Sequence, residues 1–154
     1  MQNLKSFVSK HPFFKGLKKS YLDLILGCAS EARFDSGETI FREGERADKF
    51  YIILQGKVAI EALMAPERDP ITILNLGEND VLGWSWLFAP HRWHFDARAT
   101  APTKAISIDG DKIRKKCEED HDLGYELMKR FATIIEQRLR SVRSQNPNMY
   151  AVHA

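Results

Sequence analysis

Phe50-Tyr51-Ile52-Ile53-Leu54-Gln55-Gly56-Lys57-Val58-Ala59-Ile60 is the stretch from which the fold can be read. Two short runs of β-branched and aromatic residues flank Gln55-Gly56. Such residues suit the pleated surface of a strand, and a tight break containing glycine predicts a two-residue hairpin. Phe50, Ile52, Leu54, Val58 and Ile60 are then expected to line a core.

The same texture extends outward from Glu31 to about Ile108. Short strand-like runs are cut by Asp35-Ser36-Gly37, Glu43-Gly44-Glu45, Ala65-Pro66, Gly77-Glu78-Asn79-Asp80, Ala89-Pro90 and Ala101-Pro102. Breaks every ten residues or so predict an all-β sandwich or barrel. The flanks read differently. Leu4, Phe7 and Val8, then Leu17, Tyr21, Leu24, Ile25 and Cys28, recur at helical spacing. His11-Pro12 interrupts them, because a residue before proline avoids the helical region. This predicts two short helices within 3–29, the second capped by Ser20. From Asp111 to Arg143 the pattern is helical again, with Asp109 or Asp111 as a cap. Leu123, Leu127, Phe131, Ile134, Ile135, Leu139 and Val142 form an apolar stripe that Asn146-Pro147-Asn148 should end. The expectation is one unit over 1–154: helices 3–29, β-rich 31–108, helices 111–143 and a tail 144–154.

Composition is that of a globular chain: 154 residues, 44% hydrophobic, 29% charged and a formal net charge of +2. So small an excess does not argue for nucleic acid. The N-terminus lacks the apolar run of a signal peptide, and no stretch approaches the roughly 20 apolar residues of a membrane span. Cys28 and Cys117 make no disulfide framework. Reduced thiols and a cytoplasmic location are expected.

Helices, a glycine-punctuated β unit and a long final helix together resemble the cyclic-nucleotide-binding domain family. That family includes the bacterial catabolite activator, the fumarate–nitrate regulators and the kinase A regulatory subunit. The resemblance begins at Phe34-Asp-Ser-Gly-Glu38 and Ile40-Phe41-Arg-Glu-Gly44. It continues through Asp48-Lys-Phe50-Tyr51-Ile-Ile53, Gly56-Lys-Val58 and Leu76-Gly77-Glu-Asn-Asp80-Val-Leu82-Gly83. It spans about residues 10 to 143. It implies a mainly β fold, a double-stranded β-helix (jelly roll) barrel with N-terminal helices and a long C-terminal helix. It also implies a regulatory domain rather than an enzyme, with cAMP or cGMP as the family's ligand.

The family's phosphate-binding cassette reads Phe-Gly-Glu-(Leu/Ile)-Ala-Leu, a short loop, then Arg-(Thr/Ser/Ala)-Ala. Its glutamate accepts the ribose 2′-hydroxyl, and its arginine pairs with the cyclic phosphate. This chain departs from that pattern. It reads Leu82-Gly83-Trp84-Ser85-Trp86-Leu87, then Arg92-Trp93-His94-Phe95-Asp96-Ala97-Arg98-Ala99. Trp84 stands where the resemblance places the glutamate, and Trp93 where it places the arginine. Arg92 is one residue early, and a one-residue shift on a strand turns a side chain to the other face unless a bulge re-aims it. An arginine–phosphate contact is worth roughly 1.5–3 kcal/mol, so cyclic nucleotides should bind weakly or not at all. The residues of interest are Gly83, Trp84, Ser85, Trp86, Leu87, Arg92, Trp93, His94 and Arg98. Three readings stay open. The tryptophans fill the old pocket and leave an interaction scaffold; they line a pocket for a different, flatter or more apolar ligand, with Trp86, Phe88 and Phe95 beside them and Arg92 or Arg98 as anchor; or Arg92 rescues the nucleotide site through a bulge.

A cupin-like metalloenzyme is a minor alternative. His91, His94 and Asp96 could in principle hold a metal, but no second histidine pair or glutamate sits at matching spacing. Ser85 lacks the second glycine of a nucleophile elbow. In the regulators that the chain resembles, the long helix pairs with its two-fold mate, which implies a homodimer. Their winged helix-turn-helix follows that helix, and the sequence leaves only about ten residues for one, so no direct DNA binding is expected. The basic residues of the last third alternate with acids, as on a solvated helix face. An unnamed protein partner is expected to read the ligand state.

Overall fold

The computed structural model describes residues 4–63, 65–66 and 68–145. Helix α1 (Leu4–Lys10) is followed by a single 3-10 turn, Pro12–Phe14, and by α2 (Lys19–Gly27). Eight strands follow: β1 (Ala29–Phe34), β2 (Thr39–Phe41), β3 (Lys49–Gln55), β4 (Val58–Ala62), β5 (Ile71–Leu76), β6 (Val81–Leu82), β7 (Asp96–Ala99) and β8 (Thr103–Asp109). Helices α3 (Gly110–Glu119) and α4 (His121–Gln145) complete the described chain. The strands form two antiparallel four-stranded sheets in the orders β1-β8-β3-β6 and β2-β7-β4-β5. The jelly-roll expectation is met in strand content and flanking helices. The two sheets are separate layers, however, and not a closed barrel.

The Gln55-Gly56 turn does something other than the sequence predicts. β3 and β4 are not hydrogen-bonded to one another: β3 pairs with β6 and β8, β4 with β5 and β7. The turn carries the chain from one sheet to the other. Gly56 has φ +113°, and a Cβ there would stand 2.4 Å from Thr103 Oγ1 and 2.7 Å from the Pro102 carbonyl oxygen. The glycine is needed for a positive φ and for close approach to another strand, not for a hairpin.

β3 is buried on both faces, which is why it reads as an unbroken apolar run. Phe50 stacks on Trp86 (centroids 5.1 Å) and meets Phe131 of α4 edge-on (5.3 Å), while Tyr51 touches Phe34 of β1. Of the expected core residues, Phe50, Ile52, Leu54 and Val58 are buried and Ile60 is half-buried; Tyr51 and Ile53 are buried as well. Burial pushes the Tyr51 hydroxyl up to about 12.

The helices are fixed by polar ties as well as by packing. Arg130 of α4 donates to the carbonyls of Phe13 (2.7 Å) and Lys15 (2.7 Å) and pairs with Glu126. His11 accepts the Phe13 amide at Nδ1 and donates from Nε2 to the Asn79 carbonyl (2.7 Å), joining the first turn to the β5–β6 loop. Asp109 caps α3 by accepting the Lys112 amide. Ser20 does not cap α2. Lys18 holds the cap position without a side-chain bond, and Ser20 falls inside the first turn. The stop expected at Asn146-Pro147-Asn148 lies outside the described residues.

Both cysteines are unbridged. Burial raises both thiols above their ordinary range, Cys117 to about 11, so neither is an activated nucleophile at neutral pH. Among the described residues no helix is long and apolar enough to cross a membrane.

Candidate functional site

The site is built on the end of β6 and the chain that follows it. Val81 and Leu82 are buried edge residues paired to Ile52 and Tyr51. Gly83 then takes φ +95°, which turns the backbone into the 3-10 turn Ser85–Leu87, with Trp84 at its N-cap. In a 3-10 turn consecutive side chains splay by about 120°. The four residues Trp84 to Leu87 therefore cannot all face one pocket.

Trp93 comes back to this turn from the far side. Its backbone bonds to the β2–β3 segment, with its amide donating to Glu45 (3.0 Å) and its carbonyl accepting from Gly44 (2.8 Å). Its indole lies flat on Phe41, with centroids 3.7 Å apart and planes 7° apart, and is only 6% exposed. The ring edge abuts Gly83, where a Cβ would stand 2.7 Å from the indole. Gly83 and Trp93 are thus mutually dependent. A side chain at 83 would displace the indole, and the indole occupies the space that a glycine leaves.

Trp84 and Trp86 part company. Trp84 is half-buried, with the Arg138 guanidinium 6.0 Å over its ring. Trp86 is fully buried on the helical side, stacked on Phe50 and edge-on to Phe131 (5.5 Å). Its Cβ and ring press on Gly110 at the start of α3, and its carbonyl accepts from Arg114. The indole Nε1 of Trp86 is the one buried side-chain polar atom without a partner among the described residues. Ser85 is buried, with its carbonyl accepting from Phe88, and Leu87 is half-buried.

The expected anchors lie elsewhere. Arg92 is exposed and donates to the Gly44 carbonyl (2.9 Å), on a segment bridged to Arg46. His94 is exposed. Arg98 makes a two-pronged ion pair with Glu61 across the β4–β7 ladder (3.0 and 2.9 Å), and this pairing raises its pKa. Its charge is already matched. Phe88 and Phe95 are about two-fifths exposed. Asp96 accepts the Glu43 amide, and among the described residues no group of three or more His, Cys, Asp or Glu is placed to hold a metal ion. The structure therefore brings together Gly83 and Trp93, sets Trp84 beside Arg138, and places Trp86, Arg92, His94 and Arg98 in other surroundings.

One residue was not singled out from the sequence. Arg138 of α4 is partly buried and donates to the Val81 carbonyl, two residues before Gly83. Burial lowers its pKa, opposed by the charge of Asp80. The signal was present: Arg138 follows Leu127, Phe131 and Ile134 at helical spacing, which puts a cation on the apolar stripe.

A fold of two antiparallel sheets, a glycine-led turn after β6 and a long helix laid over that turn define a family. The profile described as Cyclic nucleotide-binding domain matches residues 31–120, and the chain belongs to that family. It is 26% identical over 137 residues to the CRP-like cAMP-activated global transcriptional regulator of Mycobacterium tuberculosis, covering 89% of this chain and 59% of that protein. It is 28% identical over 113 residues to the cGMP-dependent protein kinase egl-4 of Caenorhabditis elegans, 73% of this chain but 14% of the kinase. The chain thus spans about three fifths or less of these curated relatives. Among solved structures, a protein of Geobacter metallireducens GS-15 with a provisional cyclic nucleotide-binding name is 27% identical, with TM-score 0.81, and the match covers 90% of this chain and 99% of that one. The sensor domain of the transcriptional regulator DNR from Pseudomonas aeruginosa shares the fold at 21% identity and TM-score 0.71, covering 89% of this chain and 91% of that one.

Proposed function

We propose that this chain is a ligand-responsive regulatory module whose cassette no longer holds a cyclic phosphate and serves a different small molecule. The observation that carries the reading is Trp93. At the position where the resemblance places the phosphate-binding arginine, a buried indole stacks on Phe41 and seals against Gly83. Neither Arg92 nor Arg98 supplies the missing charge, since one bonds a backbone carbonyl and the other is matched by Glu61. Trp84 is only half-buried, which supports a site partly open to a ligand over a scaffold closed by both tryptophans. Ligand state would reach a partner through Trp86, whose ring connects the turn to Phe131 of α4.

Thermal shift with cAMP and cGMP tests the reading. A ligand at about 100 times its dissociation constant stabilises a fold by about 2.7 kcal/mol, a shift of several degrees at this size. The expected result at millimolar cyclic nucleotide is a shift below about one degree. Saturable stabilisation at micromolar concentration would show that the cassette still works.

The same reading includes a homodimer through α4. Tyr125 (66% exposed), Met128 (46%), Ala132, Ile135 and Leu139 (60%) follow one another at alternating three- and four-residue steps, the spacing of a two-helix seam. Leu139→Glu is expected to yield a monomer by sedimentation at concentrations where the parent chain is a dimer. A monomeric parent chain would sink the idea.

A further inference from the structure

Arg138 is a partly buried cation of α4 that leaves most of its donors unused. It lies on the buried stripe of α4, it makes one hydrogen bond, to Val81, and it forms no ion pair among the described residues. Arg130 and Arg140 on the same helix pair with Glu126 and Glu136. The Asp80 carboxylate, one oxygen of which accepts the Gly77 amide, acts on Arg138 by its charge but forms no ion pair with it. A guanidinium has five N–H donors, and a partly buried cation left unpaired is costly. Yet Trp86 Nε1 is the one fully buried unpartnered side-chain polar atom among the described residues. The unused N–H groups of Arg138 therefore reach accessible space, beside Trp84 and the Gly83 turn. The guanidinium stands 6.0 Å from the Trp84 ring, the outer limit of a cation–π contact, so the pair is not closed on itself.

We propose that Trp84 and Arg138 form the recognition pair of this chain, and that its ligand is a small planar aromatic carboxylate. The inference rests on the reading that the Gly83–Trp93 region binds a ligand, and it names that ligand's class. A flat ring finds a stacking surface in the half-exposed indole. A carboxylate matches the guanidinium fork with two parallel hydrogen bonds and supplies a countercharge in direct contact, which Asp80 does not. The anion is then held from the helix and not from the segment before β7, where Trp93 has taken the space. Binding would pull α4 towards the Gly83 turn.

Calorimetric titration of the full chain with 2-naphthoate and its neutral isostere 2-naphthamide tests this, with cAMP as the third titrant. The acid is expected to bind at least tenfold more tightly than the amide. Arg138→Gln should abolish that preference. Arg138→Lys, which keeps the charge but loses the fork, should weaken the acid about tenfold with an unchanged melting temperature. It serves as the reference should the glutamine variant fail to fold. Equal binding of acid and amide, or a preference that survives Arg138→Gln, would overturn the pairing and leave ligand binding by the module intact. Binding of cAMP more tightly than either probe, or no binding of any of the three, would overturn the pairing together with the reading it rests on.

Discussion

Replacing Trp86 with alanine is expected to cost about 3–5 kcal/mol of stability, the range for emptying a large aromatic site in a core. At this chain length that is a fall of roughly 10–15 °C in melting temperature. The indole is fully buried, touches Phe50 and Phe131 with its faces and edges, and presses on Gly110. Removing it opens a cavity where three elements meet, and none can collapse inward without moving the other two. Trp86→Phe should cost far less, about 1–2 kcal/mol. It keeps the stack on Phe50 and removes an N–H that has no acceptor. Denaturant unfolding of the three proteins measures both steps. A loss below about 1 kcal/mol for the alanine variant would mean that the turn bearing Trp86 is not part of the core.

Gly56→Ala is the second large effect. An L-residue at φ +113° carries a strain of about 1–2 kcal/mol. Here the new methyl would also meet the Thr103 Cα and the Pro102 oxygen at 2.7 Å. Both are backbone atoms, so relief requires β4 or β8 to shift, and a total of about 3 kcal/mol or more is expected. Gly37 provides the comparison: its φ is +91°, but no atom lies within 4 Å of an added Cβ. Gly37→Ala should show the strain alone. If the two variants lose the same stability, the close approach at Gly56 is not what the glycine serves.

The strands were legible because their signal is local. Runs such as Phe50–Leu54 and breaks such as Asp35-Ser36-Gly37 state their own conformation. Gln55-Gly56 misled for the same reason. A glycine turn between two strands looks alike whether the strands pair or part into different sheets, and the difference lies in contacts with Pro102 and Thr103, nearly fifty residues on. The cassette showed the same limit. Trp84 to Leu87 read as one site because they are contiguous, whereas the 3-10 turn sends Trp86 to the helices and Trp84 towards Arg138. Arg98 looked like an anchor until the β4–β7 register set it against Glu61. Arg138 was hidden among basic residues of α4 such as Lys129, Arg140 and Arg143, which face water. Its place on the apolar stripe could have marked it, but what it lies beside could not be read.

The strand order also bears on how the chain is made. β1, complete at Phe34, pairs only with β8, which begins at Thr103. β3 waits for the same partner along most of its length. During vectorial synthesis at about 5–20 residues per second, the first sheet cannot close until residue 109 has cleared the ribosome. The aromatic cluster under it stays open until Phe131 arrives. For several seconds the nascent chain therefore exposes Phe50 and Ile52 with no partner strand for β3 other than the two-residue β6. That interval is when chaperone capture or misassociation of this chain would occur.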